Sequence, residues 1–431
     1  MRKNIYLYLF FLSLFSFFIS YRYAFAETLE EAWKIALSVD NRLIAGQKNV
    51  EAMEQSLFAA KSNRLPNLSI ESSYTMLNES PAAILNMPGM PTNQITMSED
   101  KSLSYKTFLT LPVFTGGRIS NEINAASSNY KASLSELKKT SLDIKLNVVE
   151  AYTNVLRAKH WVDVTESNVK SLSSHVRDVS NLYEQGMITK NELLAANVSL
   201  ADANQRLIQA KNNLDNAKAA YNRLLGRSLE KELEIEDIYA EAIQVDIESL
   251  TSLALRNRPE LSSLAEQADS IRFQADAVRA SLYPQIAFSA GYNYQQNKYQ
   301  AYEGLWTAIL GLKWEIFDGG IVKHNANALI KKADSISKLR EDASSIIKLQ
   351  VRQVCLDVQE TLNRINVTKD ALKQSEENLR VTRDRYREGV GTNTEVLDAE
   401  ALRIKSYNNY YNAVYDAVIA QYRLKYVTGT L

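Results

Sequence analysis

Apolar residues between positions 118 and 185 recur every three or four residues, the spacing that lines one face of an α-helix. No Gly or Pro interrupts this stretch, and the spacing approaches the 3.5-residue period of coiled coils. The same register returns 203 residues later, over positions 321–388. We therefore predict two helices, each on the order of 100 Å long at about 1.5 Å per residue, whose apolar faces pack as coiled coils.

A glycine ends each of these patterns, and a second helical pattern follows it. Gly186 precedes a predicted helix at about 188–226, and Gly389 precedes one at about 392–428, with a further glycine at Gly391. Glycine at a helix C-terminus takes the left-handed conformation that ends helices, and threonines just beyond can cap the next helix. We therefore predict two helical hairpins of one kind, with these three glycines at their tips.

Four shorter segments alternate between apolar and polar residues, which is the pattern of β-strands. They lie at about 66–77, 102–113, 284–295 and 305–317. Each is near the roughly 9–11 residues that a tilted strand needs to cross a bilayer. A half-buried sheet in a soluble domain shows the same alternation, so this pattern alone leaves both interpretations open.

The chain contains an internal duplication, in which each copy reads helix, strand pair, long helix, turn, helix. We predict a first repeat at 27–227, an acidic connector at 228–248 and a second repeat at 249–431. The first copy carries a longer loop between its two strands, at about 77–101. Matching residues mark the junctions of the elements. The helix-to-strand junctions have Pro66 and Pro284, and the strand-to-helix turns have Gly116, Gly117, Gly319 and Gly320.

Residues 1–26 are predicted to be a secretory signal peptide. Basic residues at positions 2 and 3 precede an apolar run, and Ala24-Phe25-Ala26 supplies the small residues that a signal peptidase reads before Glu27. A retained membrane anchor is the alternative, but the apolar run is short and a processing site follows it. No cysteine lies near the cleavage point, so we expect an exported chain without a lipid anchor.

The composition of the chain argues against several classes of function. Without the three basic residues of the signal peptide, 47 basic residues stand against 50 acidic ones, so nothing suggests a nucleic-acid partner. Cys355 is the single cysteine and the three histidines show no ligand spacing, so we predict no disulfide, metal site or cofactor. No nucleophile–base set or phosphate loop appears, so the sequence does not indicate an enzyme.

Four strands cannot close a barrel, and lipid does not tolerate open strand edges. If the strands enter a membrane, several chains must therefore pool them. Two chains would give eight strands and a filled interior, whereas three would give twelve strands and a bore.

The chain resembles the TolC-type outer membrane efflux proteins over its whole mature length. The resemblance rests on the duplication, the strand ends Leu111–Gly117 and Trp314–Gly320, and the turn Gly389–Ala399. It implies an α+β membrane protein: a homotrimer with a 12-stranded barrel in outer-membrane lipid, four strands per chain, continuous with a coiled-coil helical barrel in the periplasm. It also implies a passive exit duct for efflux or type I secretion, docked on a periplasmic adaptor and an inner-membrane RND, ABC or MFS pump.

The resemblance also assigns roles at the hairpin tips. It implies that Glu395 and Asp398 form an acidic ring at the periplasmic aperture, because residues three apart share a helix face. It implies closure by a link between Tyr386 and Glu192. An arginine that forms a second link in the family is replaced here by Gly391.

Three questions stay open at this stage. A coiled-coil envelope scaffold without channel activity would explain the helices, though not four strands of bilayer length. The loop at 77–101 contains Met87, Met90 and Met97, and thioethers can bind Cu(I), but methionine is also an ordinary flexible apolar residue. The sequence does not indicate what is exported.

Overall fold

The computed structural model describes residues 26–431, so the predicted signal peptide lies outside it except for Ala26. The described chain divides into two compact units. The first unit contains the segment up to Ile44 together with Lys139–Arg258 and Ile346–Leu431; the second contains Ala45–Lys138 and Pro259–Ser345. Among the described helices, none is both long enough and apolar enough to span a bilayer.

Helices dominate the chain, and their bounds lie within two residues of the predicted bounds wherever a helix was given a range. The absence of Gly and Pro allows the two helices Arg118–Glu184 and Ile321–Arg387 to continue for 67 residues each. The helices are α1 (Leu29–Val39), α2 (Asn41–Ser62), α3 (Arg118–Glu184), α4 (Lys190–Leu224), α5 (Ile247–Asn257), α6 (Pro259–Arg279), α7 (Ile321–Arg387) and α8 (Asn393–Val427).

Polar contacts hold the start of the described chain inside the first unit. The carboxylate of Glu27 accepts a hydrogen bond from Tyr221 Oη at 2.6 Å and pairs with Arg227 at 2.6 Å. Tyr152 Oη donates to the carbonyl oxygens of Glu27 and Glu236, and the rings of Tyr152 and Tyr221 meet edge to face. Burial raises the pKa of both tyrosines, so they remain neutral hydrogen-bond donors. The connector is thereby fixed to α3 and α4.

The second unit contains a four-stranded antiparallel sheet, whose strands in spatial order are β1 (Asn67–Met76), β4 (Lys101–Phe114), β5 (Gln285–Gln295) and β6 (Gly304–Lys313). The pairing of β4 with β5 joins the two sequence copies, and the stacked rings of Tyr105 and Tyr294 lie 4.8 Å apart across it. Within the described chain β1 and β6 pair on one side only, which leaves each with a free edge.

The structure corrects the predicted end of the last strand. Alternation continues to Ile316, but β6 ends at Lys313. The pairing stops there because β5 begins at Gln285, the residue opposite Lys313, so no residue of β5 remains to pair with Trp314. Nε1 of Trp314 donates instead to the carbonyl oxygen of Leu282 at 3.0 Å. The register of β4 on β5 also shifts between Pro112 and Phe114, since proline has no N–H to donate to the ladder.

The longer loop of the first copy folds into a small hairpin of its own. Strands β2 (Ala82–Leu85) and β3 (Asn93–Thr96) pair antiparallel. The buried Asn297, just after β5, donates from Nδ2 to the carbonyl oxygen of Met97 at 3.0 Å and so anchors the base of this hairpin.

Glycines turn the chain from strand to helix at Gly116, Gly117, Gly319 and Gly320, all of which have positive φ. At Gly116 a Cβ atom would lie 2.6 Å from the carbonyl oxygen of Ala280, so both the backbone conformation and the close approach require glycine. Pro66 and Pro284 immediately precede β1 and β5, where a missing N–H costs no ladder bond.

Candidate functional site at the helix-hairpin tips

The first unit contains both predicted tips. Gly186 and Gly389 end α3 and α7 with φ of 72° and 76°, and no other group lies near enough to contact a Cβ atom there. The N–H groups of Val390 and Gly391 both donate to the carbonyl oxygen of Arg385, at 3.0 and 3.1 Å. These bonds satisfy the C-terminal carbonyls of α7 and fix the turn.

Gly391 differs from the two tip glycines because its φ is not positive. A Cβ atom at Gly391 would lie 3.0 Å from the backbone nitrogen of Tyr386 and 3.2 Å from the carbonyl carbon of Arg385. A side chain here, such as the arginine found at this position in the family, would therefore require the backbone of Arg385 and Tyr386 to move by a few tenths of an ångström.

Matched capping boxes begin the two helices that leave the tips. In the first copy, the backbone N–H and the hydroxyl of Thr189 donate to Glu192 Oε1. In the second, the N–H of Glu395 donates to Thr392 Oγ1 at 3.2 Å, and the carboxylate of Glu395 turns back to the N–H of Thr392. Both glutamates thus satisfy free N–H groups at a helix N-terminus, where a negative charge is also favoured by the helix dipole.

The two predicted aperture acids are exposed on one face of α8. The carboxylate of Glu395 caps its helix and also forms an ion pair with Arg385, with Nη1 of Arg385 3.7 Å from Oε2 of Glu395. The side chain of Asp398 is exposed and forms no hydrogen bond or ion pair with any other residue that the structure describes. The structure thus gives Glu395 a structural role that the sequence reasoning had not considered.

The predicted link between Tyr386 and Glu192 is not present as a hydrogen bond. Tyr386 is 6% exposed, yet its Oη has no hydrogen-bond partner among the described residues. Burial, followed by the nearby charges of Glu192 and Asp178, raises the pKa of Tyr386. The physical reason for the missing bond is that Glu192 directs its carboxylate to Thr189 as a cap.

A different hydrogen-bond chain connects the two hairpins. His175 Nε2 on α3 and Asn393 Oδ1 at the start of α8 are 2.7 Å apart, and Asn393 Nδ2 donates to the carbonyl oxygen of Glu192 on α4 at 3.1 Å. Because an amide oxygen only accepts, Nε2 of His175 carries the proton. His175 and Asn393 are each 4% exposed, and the His175 ring meets Tyr386 edge to face. Burial lowers the pKa of His175, and the charge of Arg383 lowers it further.

A buried carboxylate lies deeper in the same hairpins. Glu400 is 2% exposed and pairs with Arg383 of α7 and, at 3.2 Å, with Arg403. Asn168 and Ser171 of α3 also donate to it, so this single carboxylate joins three helices. Pairing and hydrogen bonding offset the desolvation of its charge.

Sequence reasoning missed His175, Asn393 and Glu400 as tip residues. A signal for Glu400 was present, because it falls four residues from both Val396 and Ile404 and so lies on the buried face of α8. The described residues contain no group of three or more His, Cys, Asp or Glu side chains arranged to hold a metal ion.

Comparison with known proteins identifies the family. The family model for outer membrane efflux proteins matches residues 33–227 and 250–430. The chain is 26% identical over 311 residues to the alkaline protease secretion protein AprF of Pseudomonas aeruginosa, covering 68% of this chain and 62% of that one. It is 22% identical over 423 residues to the outer membrane protein TolC of Vibrio cholerae, covering 94% and 91%.

Solved structures agree on the fold. The CusC structure superposes with a TM-score of 0.80 at 17% identity, covering 93% of this chain and 92% of that one. The outer membrane protein VceC of Vibrio cholerae gives a TM-score of 0.78 at 17% identity, covering 93% and 96%. These likenesses confirm the predicted combination of long helices with a β-sheet. Since the family model matches both sequence copies, the chain belongs to the outer membrane efflux protein family.

Proposed function

We propose that this chain is the passive exit duct of a tripartite efflux or type I secretion system. Three copies form a channel in the outer membrane that extends into the periplasm and docks with a periplasmic adaptor and an inner-membrane RND, ABC or MFS pump. The pump supplies the energy, and the duct itself carries out no chemical reaction. Family membership supports this proposal directly, because the family is that of outer membrane efflux proteins.

The observation that carries the proposal is the sheet with two free edges. Apolar side chains on its strands are strongly exposed, including Ile70 at 73% and Trp306 at 83%. Such a surface is stable when it faces lipid, and lipid requires the edges of β1 and β6 to be paired. Pairing β1 of one copy with β6 of the next satisfies both requirements, and three copies give twelve strands with room for a bore.

The exposed helix surfaces fit the same assembly. On α4, the large apolar side chains of Leu194, Val198 and Ile208 are between 53% and 71% exposed. A helical wall formed by neighbouring copies would bury them. We propose that Glu395 and Asp398 line the mouth of this wall and that six carboxylates from three copies attract cations there.

We further propose that the tips are closed at rest and that contact with the adaptor separates the two hairpins. In this chain the closing contact runs from His175 through Asn393 to Glu192 rather than through Tyr386. This assignment is supported by the two hydrogen bonds of Asn393, which connect α3, α4 and α8.

Membrane fractionation separates this function from that of a coiled-coil envelope scaffold. A duct is recovered from the outer membrane as a detergent-resistant trimer that dissociates on heating, and it conducts ions in a planar bilayer. Recovery as a soluble protein without detergent, or as a trimer that never conducts, would exclude the duct. Export of a given substrate is then tested by deleting the chain in a strain that retains the adaptor and the pump.

A further inference from the structure

We propose that the small hairpin formed by β2 and β3 is a lid over the outer mouth of the duct, where three such hairpins, one from each copy, close on one another. We call residues 80–97 the lid hairpin. It joins β1, whose free edge meets the next copy, to β4, and it lies at the end of the sheet remote from the long helices. The assignment of a lid rests on the proposed function, because only a barrel closed by several copies has a mouth to cover.

The lid hairpin contains no charged residue, although 23% of the chain consists of charged residues. Both of its faces carry apolar side chains: Leu85 and Ile95 share one face, and Ile84 lies on the other. A run of exposed apolar side chains without charges marks a contact surface rather than a surface that faces water. The large apolar side chains that are between 41% and 67% exposed are Ile84, Leu85, Met87, Met90, Ile95 and Met97.

The base of the lid hairpin covers the polar face of the sheet. Lys106 of β4 pairs with Glu71 of β1, which marks the even-numbered residues of β4 as the polar side. Ser102 belongs to this side and is only 9% exposed, whereas its neighbour Leu103 on the apolar side is 40% exposed. The outer end of the sheet is therefore covered on the polar side and left open on the apolar side.

Contacts with the loop after β5 hold this base in place. Asn297 Nδ2 donates to the carbonyl oxygen of Met97 at 3.0 Å, and Nζ of Lys298 pairs with the carboxylate of Glu99 at 3.0 Å. The N–H of Met97 donates in turn to the carbonyl oxygen of Pro81 at 2.8 Å, which closes the hairpin at its base. Beyond the base, a pair of four-residue strands is only marginally stable in water, so packing against its counterparts stabilises the lid hairpin.

The side on which the base lies selects the bore over the lipid. In a lipid-embedded barrel the apolar side of the sheet faces lipid and the polar side faces the bore, so a base on the polar side directs the lid hairpin over the bore. Twelve strands about 4.8 Å apart and tilted by about 40° give a backbone radius of roughly 12 Å. The segment from Pro81 to Gly89, at about 3.3 Å per residue, reaches roughly 25 Å at most, so three hairpins can meet on the three-fold axis.

The absence of charge selects further copies of the same hairpin as its partner. Three identical segments that meet on a symmetry axis bring each of their charges beside two like charges, which repel. An uncharged, apolar hairpin avoids this repulsion and buries its exposed side chains against its counterparts. Because only the base is fixed to the sheet, a passing export substrate can displace the three hairpins.

Met90→Cys tests the contact between copies, because Met90 is exposed near the tip of the lid hairpin and the native Cys355 is buried. The purified full-length trimer in detergent is treated with a short bismaleimide at low protein concentration. We expect cross-linked pairs of chains in Met90→Cys. The control is Tyr302→Cys, an exposed position in the loop after β5 and outside the lid hairpin, which we expect to give no cross-link.

Entry from the outside tests the closure. Ser73→Cys places a thiol on the polar side of β1, and intact cells are treated with a polymer-bearing maleimide that is too large for a closed lid. Ile84→Asp with Met90→Asp makes the three hairpins repel, so we expect labelling of this thiol to become about tenfold faster. Tyr302→Asp adds a charge outside the lid hairpin and is expected to leave the rate unchanged.

The lid is overturned if Met90→Cys gives no cross-link, or if its cross-links disappear on dilution and so mark contacts between separate trimers. It is also overturned if the Asp variant is labelled no faster than the parent. Quenching of a dye on Met90→Cys by brominated phospholipid would place the hairpin on lipid and overturn it as well. Conductance of the same preparation separates the lid from the duct, because a conducting trimer that fails these tests overturns the lid alone.

Discussion

Asn393→Ala tests the contact that we propose closes the tips. The substitution removes the 2.7 Å bond with His175 Nε2 and the 3.1 Å bond to the carbonyl oxygen of Glu192. A typical net loss is about 1 kcal/mol per hydrogen bond, and leaving the buried N–H of His175 unsatisfied adds roughly 1–3 kcal/mol. Because a small cavity can admit water, we take about 2 kcal/mol per protomer as the expected loss. This shifts the equilibrium between closed and open tips about thirtyfold towards the open state.

Single-channel recording in planar bilayers measures this shift as a larger fraction of time spent in the high-conductance state. In cells, the same variant is expected to increase sensitivity to a large antibiotic that the intact outer membrane excludes. Asn409→Ala provides the control, since this exposed amide lies on the same helix.

Tyr386→Phe provides the second comparison and distinguishes our proposal from the link expected from the sequence. Its hydroxyl has no hydrogen-bond partner in the described chain, so removing it should leave the tips closed. The reasoning is refuted if Asn393→Ala assembles normally and keeps wild-type conductance. It is also refuted if Tyr386→Phe opens the channel as strongly as Asn393→Ala.

Three further outcomes are expected. The lowered pKa of His175 means that the closed tip favours the neutral ring. As pH falls below the ordinary histidine pKa of about 6.5, a solvated ring in the open tip takes up protons, and the closed state therefore loses stability relative to the open one. We expect conductance to rise in acid and His175→Gln to remove that rise. Glu400→Gln leaves the partly exposed Arg383 without its counter-ion in the hairpins and should lower the free energy of unfolding by about 3 kcal/mol. The loss is measured as a reduced denaturant midpoint, with Glu388→Gln as the control. Glu395→Gln with Asp398→Asn retains the capping geometry but removes two charges per chain, so block by a trivalent cation should weaken at least tenfold; unchanged block would place these acids away from the mouth.

The sequence predicted the helices well because their limits depend on local chemistry. Glycine can adopt the positive φ that ends a helix, and the 67-residue helices contain no residue that would break them. Strand alternation located the four long strands, but it extended β6 beyond Lys313, because the pattern does not show that the partner strand β5 begins only at Gln285, opposite Lys313. Contacts of that kind between distant residues leave no periodic trace.

The hydrogen bonds at the hairpin tips also join residues that are distant in the sequence, and sequence analysis did not predict them. His175 and Asn393 are 218 positions apart, and neither residue belongs to a motif that would pair them. Glu192 lies in the first turn of α4, and the sequence did not reveal that its carboxylate would be engaged in capping that helix. A family resemblance transfers positions more reliably than it transfers hydrogen bonds, because a neighbouring substitution can redirect a side chain.

The free edges of β1 and β6 have a consequence for biogenesis. Neither edge can enter lipid unpaired, so a single chain has no stable inserted form, and membrane insertion must coincide with association of the copies. Insertion should therefore depend steeply on the local concentration of the chain, as a third-order dependence would for a trimer. Until the copies associate, the exposed apolar strands are prone to aggregate.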